Sequence, residues 1–106
     1  MVAKRDIKTS LRVIEDSLKQ FVGGNGSPRV RVLETQWGHI HALVGSDKFK
    51  DVGLGQRQEM IWEYLRKNVT SEYLALLYGV TTMDEASYDE VMRDIERRAL
   101  EDLGLG

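Results

Sequence analysis

The fold is decided by residues 39–85, which read HIHALVGSDKFKDVGLGQRQEMIWEYLRKNVTSEYLALLYGVTTMDE. A strand is predicted at 38–45, because side chains there alternate between an apolar face and a face with two histidines. A polar loop with two glycines follows and leads into a helix predicted at about 56–68. Residues 73–80 are then a near-continuous apolar run of strand length. Strand, loop, helix and strand in this order indicate one small α/β unit.

The residues before this stretch add a helix and a second strand. Apolar residues recur at steps of four and three over 7–21, which places them on one stripe of a helix. The glycines and the proline at 23–28 end that helix, since proline cannot continue it. Residues 29–34 alternate mostly at period two, and the short break at 36–38 predicts an antiparallel hairpin with the next strand.

The residues after the stretch add a third helix. Two candidate capping boxes begin at Thr82 and Ser87, and an apolar stripe beyond them predicts an extended acidic helix at about 87–103. The order of elements is therefore α-β-β-α-β-α. Because the strands must bury one face and the helices supply the cover, we predict an α+β two-layer sandwich with a three-stranded mixed sheet.

Length and composition limit the class of protein. The 106 residues suffice for a single domain, 1–106, and 42% hydrophobic with 30% charged residues is typical of a globular chain. The sequence has no cysteine, which excludes disulfides and thiolate ligands from this chain. It has neither an apolar run of roughly 20 residues nor a signal-peptide core, so we expect a cytoplasmic protein.

The charge is unevenly divided along the chain. Residues 84–102 carry eight acidic residues against three arginines, a net charge of −5 within a whole-chain charge of −2. The remainder is thus moderately basic, at +3. An acidic helix attached to a basic body permits contact with an anionic partner, but it is not a strong nucleic-acid footprint.

Two histidines are the candidate metal ligands. His39 and His41 lie two residues apart on the predicted strand, so their side chains share a face at roughly 7 Å. Neutral imidazoles so placed can hold one metal ion if further ligands join them; the alternative is two strand residues without a ligand. The sequence shows no nucleophile elbow and no paired catalytic acids, and we therefore expect a protein that is not an enzyme.

The loop before the second predicted helix is the candidate binding site for a partner or nucleic acid. Helix N-termini with exposed amides attract phosphate, and two glycines open this helix. Three cations surround it. The candidate residues are Lys48, Phe49, Lys50, Gly53, Gly55 and Arg57. The alternative is a helix start that needs a flexible backbone, beside ordinary solvated charges.

Residues 39–49, HIHALVGSDKF, resemble the second strand and following loop of BolA-like proteins, which read His-Phe, a hydrophobic stretch and Ser-Asp-Arg/Lys-Phe. Eight residues past Phe49 the family has Arg-His-Arg, where this chain has Arg57 followed by Gln and Glu. The family's His-Ala-Leu strand, which ends near Thr-x-x-Glu, corresponds to residues 74–76 and 82–85. The family's cluster-binding strand histidine falls on Leu74.

The resemblance implies a class II KH-like fold and a protein without enzymatic activity. It implies a stress-response accessory protein that pairs with a monothiol glutaredoxin around a shared iron–sulfur cluster. It also implies, as an alternative, a DNA-binding regulator. Self-association through the final helix, as a homodimer, is a third hypothesis, because the apolar stripe of that helix must cover either its own sheet or a second copy.

Overall fold

The helices and strands follow the predicted order, with one short helix added. The computed structural model describes residues 4–23, 28–102 and 104. The elements are α1 Lys4–Val22, β1 Arg29–Glu34, β2 Ile40–Gly45, a 3-10 turn Asp47–Phe49, α2 Leu54–Asn68, α3 Ser71–Leu74, β3 Leu77–Met83 and α4 Glu85–Asp102. The architecture is α+β with a three-stranded mixed sheet, as predicted. None of the helices described has a stretch long and apolar enough to cross a membrane.

The sheet has the strand order β1-β2-β3, so β2 is its central strand. β1 runs antiparallel to β2, from Arg29 opposite Gly45 to Glu34 opposite Ile40, which confirms the predicted hairpin. β2 runs parallel to β3. The sheet is mixed because the connection from β2 to β3 passes through two helices, and a parallel pair requires such a crossover.

β3 contains a bulge at its start. Ile40 pairs with Leu77, whereas the next residue, His41, pairs with Gly79. Tyr78 is therefore an extra residue on β3 without a partner in the ladder. An extra residue of this kind bends the strand and redirects its own side chain.

α1 and α2 cover one face of the sheet. The β2 side chains of Ile40, Ala42 and Val44 are fully buried on that face, as their alternation predicts. The helices and the 3-10 turn fill the layer above them with five fully buried side chains, those of Ile14, Leu18, Phe49, Ile61 and Leu65. Burial of each large apolar side chain contributes roughly 1.5–3 kcal/mol. We call the opposite side of the sheet the open face; it carries Arg31, Leu33, His41, Leu43 and Thr81.

The chain between α2 and β3 differs from the prediction. The sequence predicts a strand over 73–80, but α3 ends at Leu74 and β3 begins at Leu77. The carbonyl of Thr70, whose own backbone is extended, accepts hydrogen bonds from the amides of Tyr73 and Leu74 at 3.1 and 3.3 Å. The Thr70 side chain makes no capping hydrogen bond to this helix. The apolar composition of the run conceals this helix start.

α4 begins at neither of the predicted capping boxes. Thr82 lies in β3 and Ser87 lies inside α4, so both predictions are wrong. Asp84 precedes the helix, and its Oδ1 accepts a hydrogen bond from the Ser87 amide at 2.7 Å. Asp47 Oδ1 accepts another from the Glu85 amide at 3.2 Å. Two carboxylates therefore satisfy first-turn amides and oppose the positive end of the helix dipole.

Candidate functional site

The predicted site before α2 is only partly available to a partner. Phe49 is fully buried and belongs to the core. Lys48 Nζ donates to the Phe21 carbonyl at the end of α1 and lies 5.0 Å from the centre of the Phe21 ring. Lys50 is exposed and forms a surface ion pair with Asp47 at 3.7 Å. Of these three predicted residues, Phe49 is withdrawn from solvent, whereas Lys48 and Lys50 are both exposed.

The other three predicted residues surround the start of α2. Arg57 Nε donates to the Val52 carbonyl at 2.8 Å, and its guanidinium stands 5.8 Å from the centre of the Phe49 ring. Gly53 is the N-cap and supplies no side-chain hydrogen bond to the helix. Gly53 and Gly55 are exposed. The structure thus brings the six residues together, but Lys48, Phe49 and Arg57 hold the loop itself.

Gln58 has a structural role that the sequence did not reveal. Its Nε2 donates to the Val80 carbonyl in β3 at 2.7 Å, and its Oε1 accepts from Trp62 Nε1 at 3.1 Å. Gln58 therefore joins α2 to β3 at the position where BolA-like proteins have the middle residue of their Arg-His-Arg triplet.

The two histidines lie near the same end of the sheet but have different neighbours. His41 Nε2 is 2.8 Å from Thr81 Oγ1 on the open face. The His39 ring packs against Tyr78, with 5.8 Å between ring centres. Within residues 4–23 and 28–102, no group of three or more histidine and acidic residues is arranged to hold a metal ion. The two histidines by themselves fall short of a full ligand set for a metal.

Leu74 does not fit the iron–sulfur cluster that the resemblance implies. It is the last residue of α3, half-buried, and its hydrocarbon side chain packs against the core. A leucine cannot ligate iron, because the iron atoms of such clusters are bound by thiolates or imidazoles. The residues at this position therefore do not fit the cluster-binding role.

The hairpin turn presents Trp37 to solvent on a well-held backbone. The Thr35 amide donates to the His39 carbonyl at 2.7 Å, and the Gly38 amide donates to the Thr35 carbonyl at 3.0 Å. The Thr35 hydroxyl accepts from the amides of Trp37 and His39 at 3.3 and 3.2 Å. Gly38 adopts φ 79°, a left-handed conformation that favours glycine. The Trp37 side chain is 77% exposed.

The bulge presents a second exposed aromatic side chain at the same end of the sheet. Tyr78 is 76% exposed because it stands outside the ladder. Leu33, on the open face of β1, is also exposed. We call the group Leu33, Trp37, His39 and Tyr78 the aromatic end of the sheet. The apolar pattern over 73–80 does not indicate that Tyr78 is exposed. The signal for it in the sequence is the glycine that follows, since glycine inside a strand often marks a bulge.

The opposite end of the open face is closed by α4. Tyr88 is buried against Gly45, and burial raises the pKa of its hydroxyl. Arg29 donates to both Asp89 carboxylate oxygens at 2.8 and 3.0 Å and to Glu85 at 2.8 Å. The hydrogen bond from Arg29 lowers the pKa of Asp89, and the same bond raises the pKa of Arg29. The charges of Arg29, Glu85 and Asp89 at this end are paired with one another, whereas the aromatic end is uncovered.

The fold and the site define a small α+β domain with one covered sheet face and one partly uncovered face. Comparisons with protein-family models, with curated proteins and with solved structures gave no match.

Proposed function

We propose that this chain is a non-enzymatic protein-binding module that receives its partner at the aromatic end of the sheet. The observation that carries the proposal is the pair of exposed aromatic side chains, Trp37 and Tyr78, beside an uncovered sheet face. Tryptophan and tyrosine, together with arginine, are enriched among the residues that contribute most to binding at protein interfaces. Exposed apolar groups that cluster, rather than scatter, are typical of interaction sites.

The hydrogen bonds of the hairpin turn support this proposal. Four of them hold the backbone around Trp37, so little conformational freedom is lost when the ring enters a pocket on a partner. Tyr78 is fixed by the adjoining ladder and by contact with His39. Two preorganised aromatic anchors at one end of the sheet therefore favour specific docking.

A monothiol glutaredoxin is the candidate partner, on the resemblance to BolA-like proteins. The proposed contact does not depend on cluster ligation at position 74, because Leu74 cannot serve as a ligand. Any cluster shared in the complex would take its ligand from elsewhere in the two proteins, and His39 lies within the proposed contact.

Single substitutions test the proposal. We expect Trp37→Ala and Tyr78→Ala each to weaken binding of a monothiol glutaredoxin at least about tenfold, the effect of losing a hot-spot side chain. Calorimetric titration gives the affinities, and visible absorption of the mixture shows whether a cluster spectrum changes. Leu54→Ala is the matched control, since Leu54 is 70% exposed at the start of α2, away from the aromatic end. The proposal would be contradicted if the wild-type chain did not comigrate with the glutaredoxin. It would also be contradicted if both aromatic variants comigrated with the glutaredoxin as wild type does.

Nucleic-acid binding at the start of α2 is the second candidate. The uncapped α2 N-terminus beside exposed Lys50 favours it. Lys48 and Arg57 also hold the loop, so Lys50→Gln is the variant that removes charge without disturbing the fold. Salt-sensitive DNA binding that Lys50→Gln weakens and Trp37→Ala spares would favour this function. An absence of binding at low salt would exclude it.

A further inference from the structure

The sheet has two edge strands, β1 and β3, and they differ in how they are protected against pairing with a further strand. β3 contains the bulge at Tyr78, and its Val80 carbonyl accepts a hydrogen bond from Gln58 at 2.7 Å. Bulges and covering groups of this kind block an edge. β1 pairs with β2 in continuous register from Arg29 to Glu34, without a bulge. Among the described residues, no other strand pairs with β1 and no loop amide or carbonyl bonds to its backbone.

The ladder with β2 determines which backbone groups of β1 face outward. The Thr35 amide donates to the His39 carbonyl at 2.7 Å, which makes these two residues a hydrogen-bonded pair. Hydrogen-bonded and non-hydrogen-bonded pairs alternate along an antiparallel ladder, so every second residue of β1 before Thr35 also bonds to β2. The residues in between point their amides and carbonyls away from β2; they are Val30, Val32 and Glu34. These groups are free to bond to an added strand.

A groove of about 340 Å³ lies between α1 and β1, and Val32, one of the outward-bonding residues, lines it. Val32 and Leu11 supply its apolar surface, and both are half-buried against the core. Lys8 and Arg12 also line it, exposed and without an ion pair to a described side chain. Glu15 completes the lining, and it pairs with a lysine one turn along α1 at 3.8 Å. The free edge of β1 therefore has an apolar groove with two unpaired cations beside it.

The unpaired charges along this edge are mostly positive. Arg31 is exposed on the open face and, like Lys8 and Arg12, forms no ion pair with a described side chain. Glu34, at the end of the strand, is the carboxylate that β1 itself contributes. Because β1 carries two arginines and one glutamate, a second copy of β1 would bring further positive charge to the edge. The charges therefore favour an acidic strand from a different protein.

We propose that the outer edge of β1 binds an extended acidic segment of a partner protein, which adds a fourth strand to the sheet. In strand addition, backbone hydrogen bonds supply the affinity and pockets for alternate side chains supply the specificity. A central apolar side chain of the segment lies beside Val32, and carboxylates on the same face, two residues away on either side, meet Lys8 and Arg12. The site is at the opposite edge of the sheet from Tyr78, so it does not rest on the function proposed for the aromatic end.

The first test uses a synthetic peptide that reads Thr-Glu-Thr-Val-Thr-Glu-Thr, in which the valine and both glutamates share one face. We expect this peptide to bind the intact chain in an NMR titration. Replacement of its glutamates by lysine, or methylation of its backbone amides, is expected to weaken binding at least about tenfold. The methylated peptide keeps the side chains and charges but cannot donate to β1. Equal binding of the methylated peptide, or no binding of the glutamate peptide, would overturn the proposal.

Amide hydrogen exchange locates the bound peptide on the strand. In the free chain we expect the amides of Val32 and Glu34 to exchange faster than those of Arg31 and Leu33, which bond to β2. The glutamate peptide is expected to slow the Val32 and Glu34 amides at least about tenfold. Amides that the peptide leaves unchanged would overturn the proposal. So would slow exchange in the free chain together with a doubled mass by light scattering, because a second copy would then occupy the edge.

Matched variants of the chain separate this site from general charge effects and from the aromatic end. Lys8→Glu combined with Arg12→Glu is expected to weaken peptide binding at least about tenfold. Arg66→Glu combined with Lys67→Glu changes the net charge equally on exposed residues of α2, and it is expected to weaken binding much less. Tyr78→Ala is expected to leave peptide binding unchanged. Equal losses in the two charge variants, or a loss in Tyr78→Ala, would overturn binding at the β1 edge.

Discussion

Gly45 lies where the first turns of α4 cross β2, and its lack of a side chain lets the helix approach. A Cβ atom built on Gly45 would stand 2.5 Å from Tyr88 Cβ and 2.8 Å from Tyr88 Cγ. Neither distance is tolerated between carbon atoms, so a side chain would displace Tyr88 and the helix with it. One residue of β2 thus fixes how closely α4 packs.

We expect Gly45→Ala to lower the free energy of unfolding by about 1–3 kcal/mol, the typical result of overpacking. Urea denaturation measures the change. Gly55→Ala is the matched control, because a Cβ there meets no described atom within 4 Å and α2 favours alanine. Equal effects of the two substitutions would contradict the packing described for Tyr88.

Single residues were predictable where a periodic pattern governs them. The burial of Ile40, Ala42 and Val44 follows from period-two alternation, which is local information. Phe49 belongs to a predicted binding loop, yet it is buried. The packing of a loop residue leaves no periodic signal in the sequence. The apolar run over 73–80 predicts a covered strand around Tyr78, and only the pairing with β2 reveals the bulge that exposes it.

At the scale of elements, the Arg29 guanidinium joins β1 to α4. Its hydrogen bonds lower the pKa of Asp89 below the ordinary value of about 3.9. Because the folded-state pKa lies below the unfolded one, this carboxylate stabilises the fold above about pH 4, and the contribution is lost as the pH falls through the folded-state pKa.

We therefore expect Asp89→Asn to be less stable than wild type at neutral pH, and the difference to shrink as the pH falls below about 4. Urea denaturation over a pH series measures it. Glu90→Gln is the control one residue along, exposed and without an ion pair to a described side chain. A stability difference that is constant with pH would show that Asp89 acts by packing alone.

Elements were predictable in kind and order, and their ends were not. The hairpin and the main helices follow from periodicity. α4 starts at Glu85, directly after Asp84, and Asp47, which is distant in sequence, also accepts a hydrogen bond from its first turn. The two candidate sites differ in the same way. The loop before α2 has a local sequence signature, whereas the aromatic end forms only when β3 pairs with β2.

The whole molecule is less compact than its length requires. The Cα radius of gyration is 14.6 Å, against about 13 Å for a compact domain of this size. The second half of α4 packs little against the rest of the described chain, since most of its residues are exposed. α4 therefore packs against the core over a smaller part of its length than α1 and α2 do.

We expect amide hydrogen exchange to be slowest in β2 and fast in α4 beyond residue 93. β2 is paired on both sides and covered by two helices, whereas the end of α4 has little packing to resist local opening. Equal protection of α4 and β2 would mean that α4 packs along its whole length.

The parallel pairing of β2 with β3 also affects how the chain is made. β1 and β2 can form their hairpin once Gly45 has left the ribosome, but the other edge of β2 waits for Leu77. Until then an apolar central strand has an open row of amides and carbonyls, which is a template for pairing with another chain. We therefore expect fragments that end before β3 to aggregate, and the nascent chain to be exposed to aggregation until β3 has been synthesised.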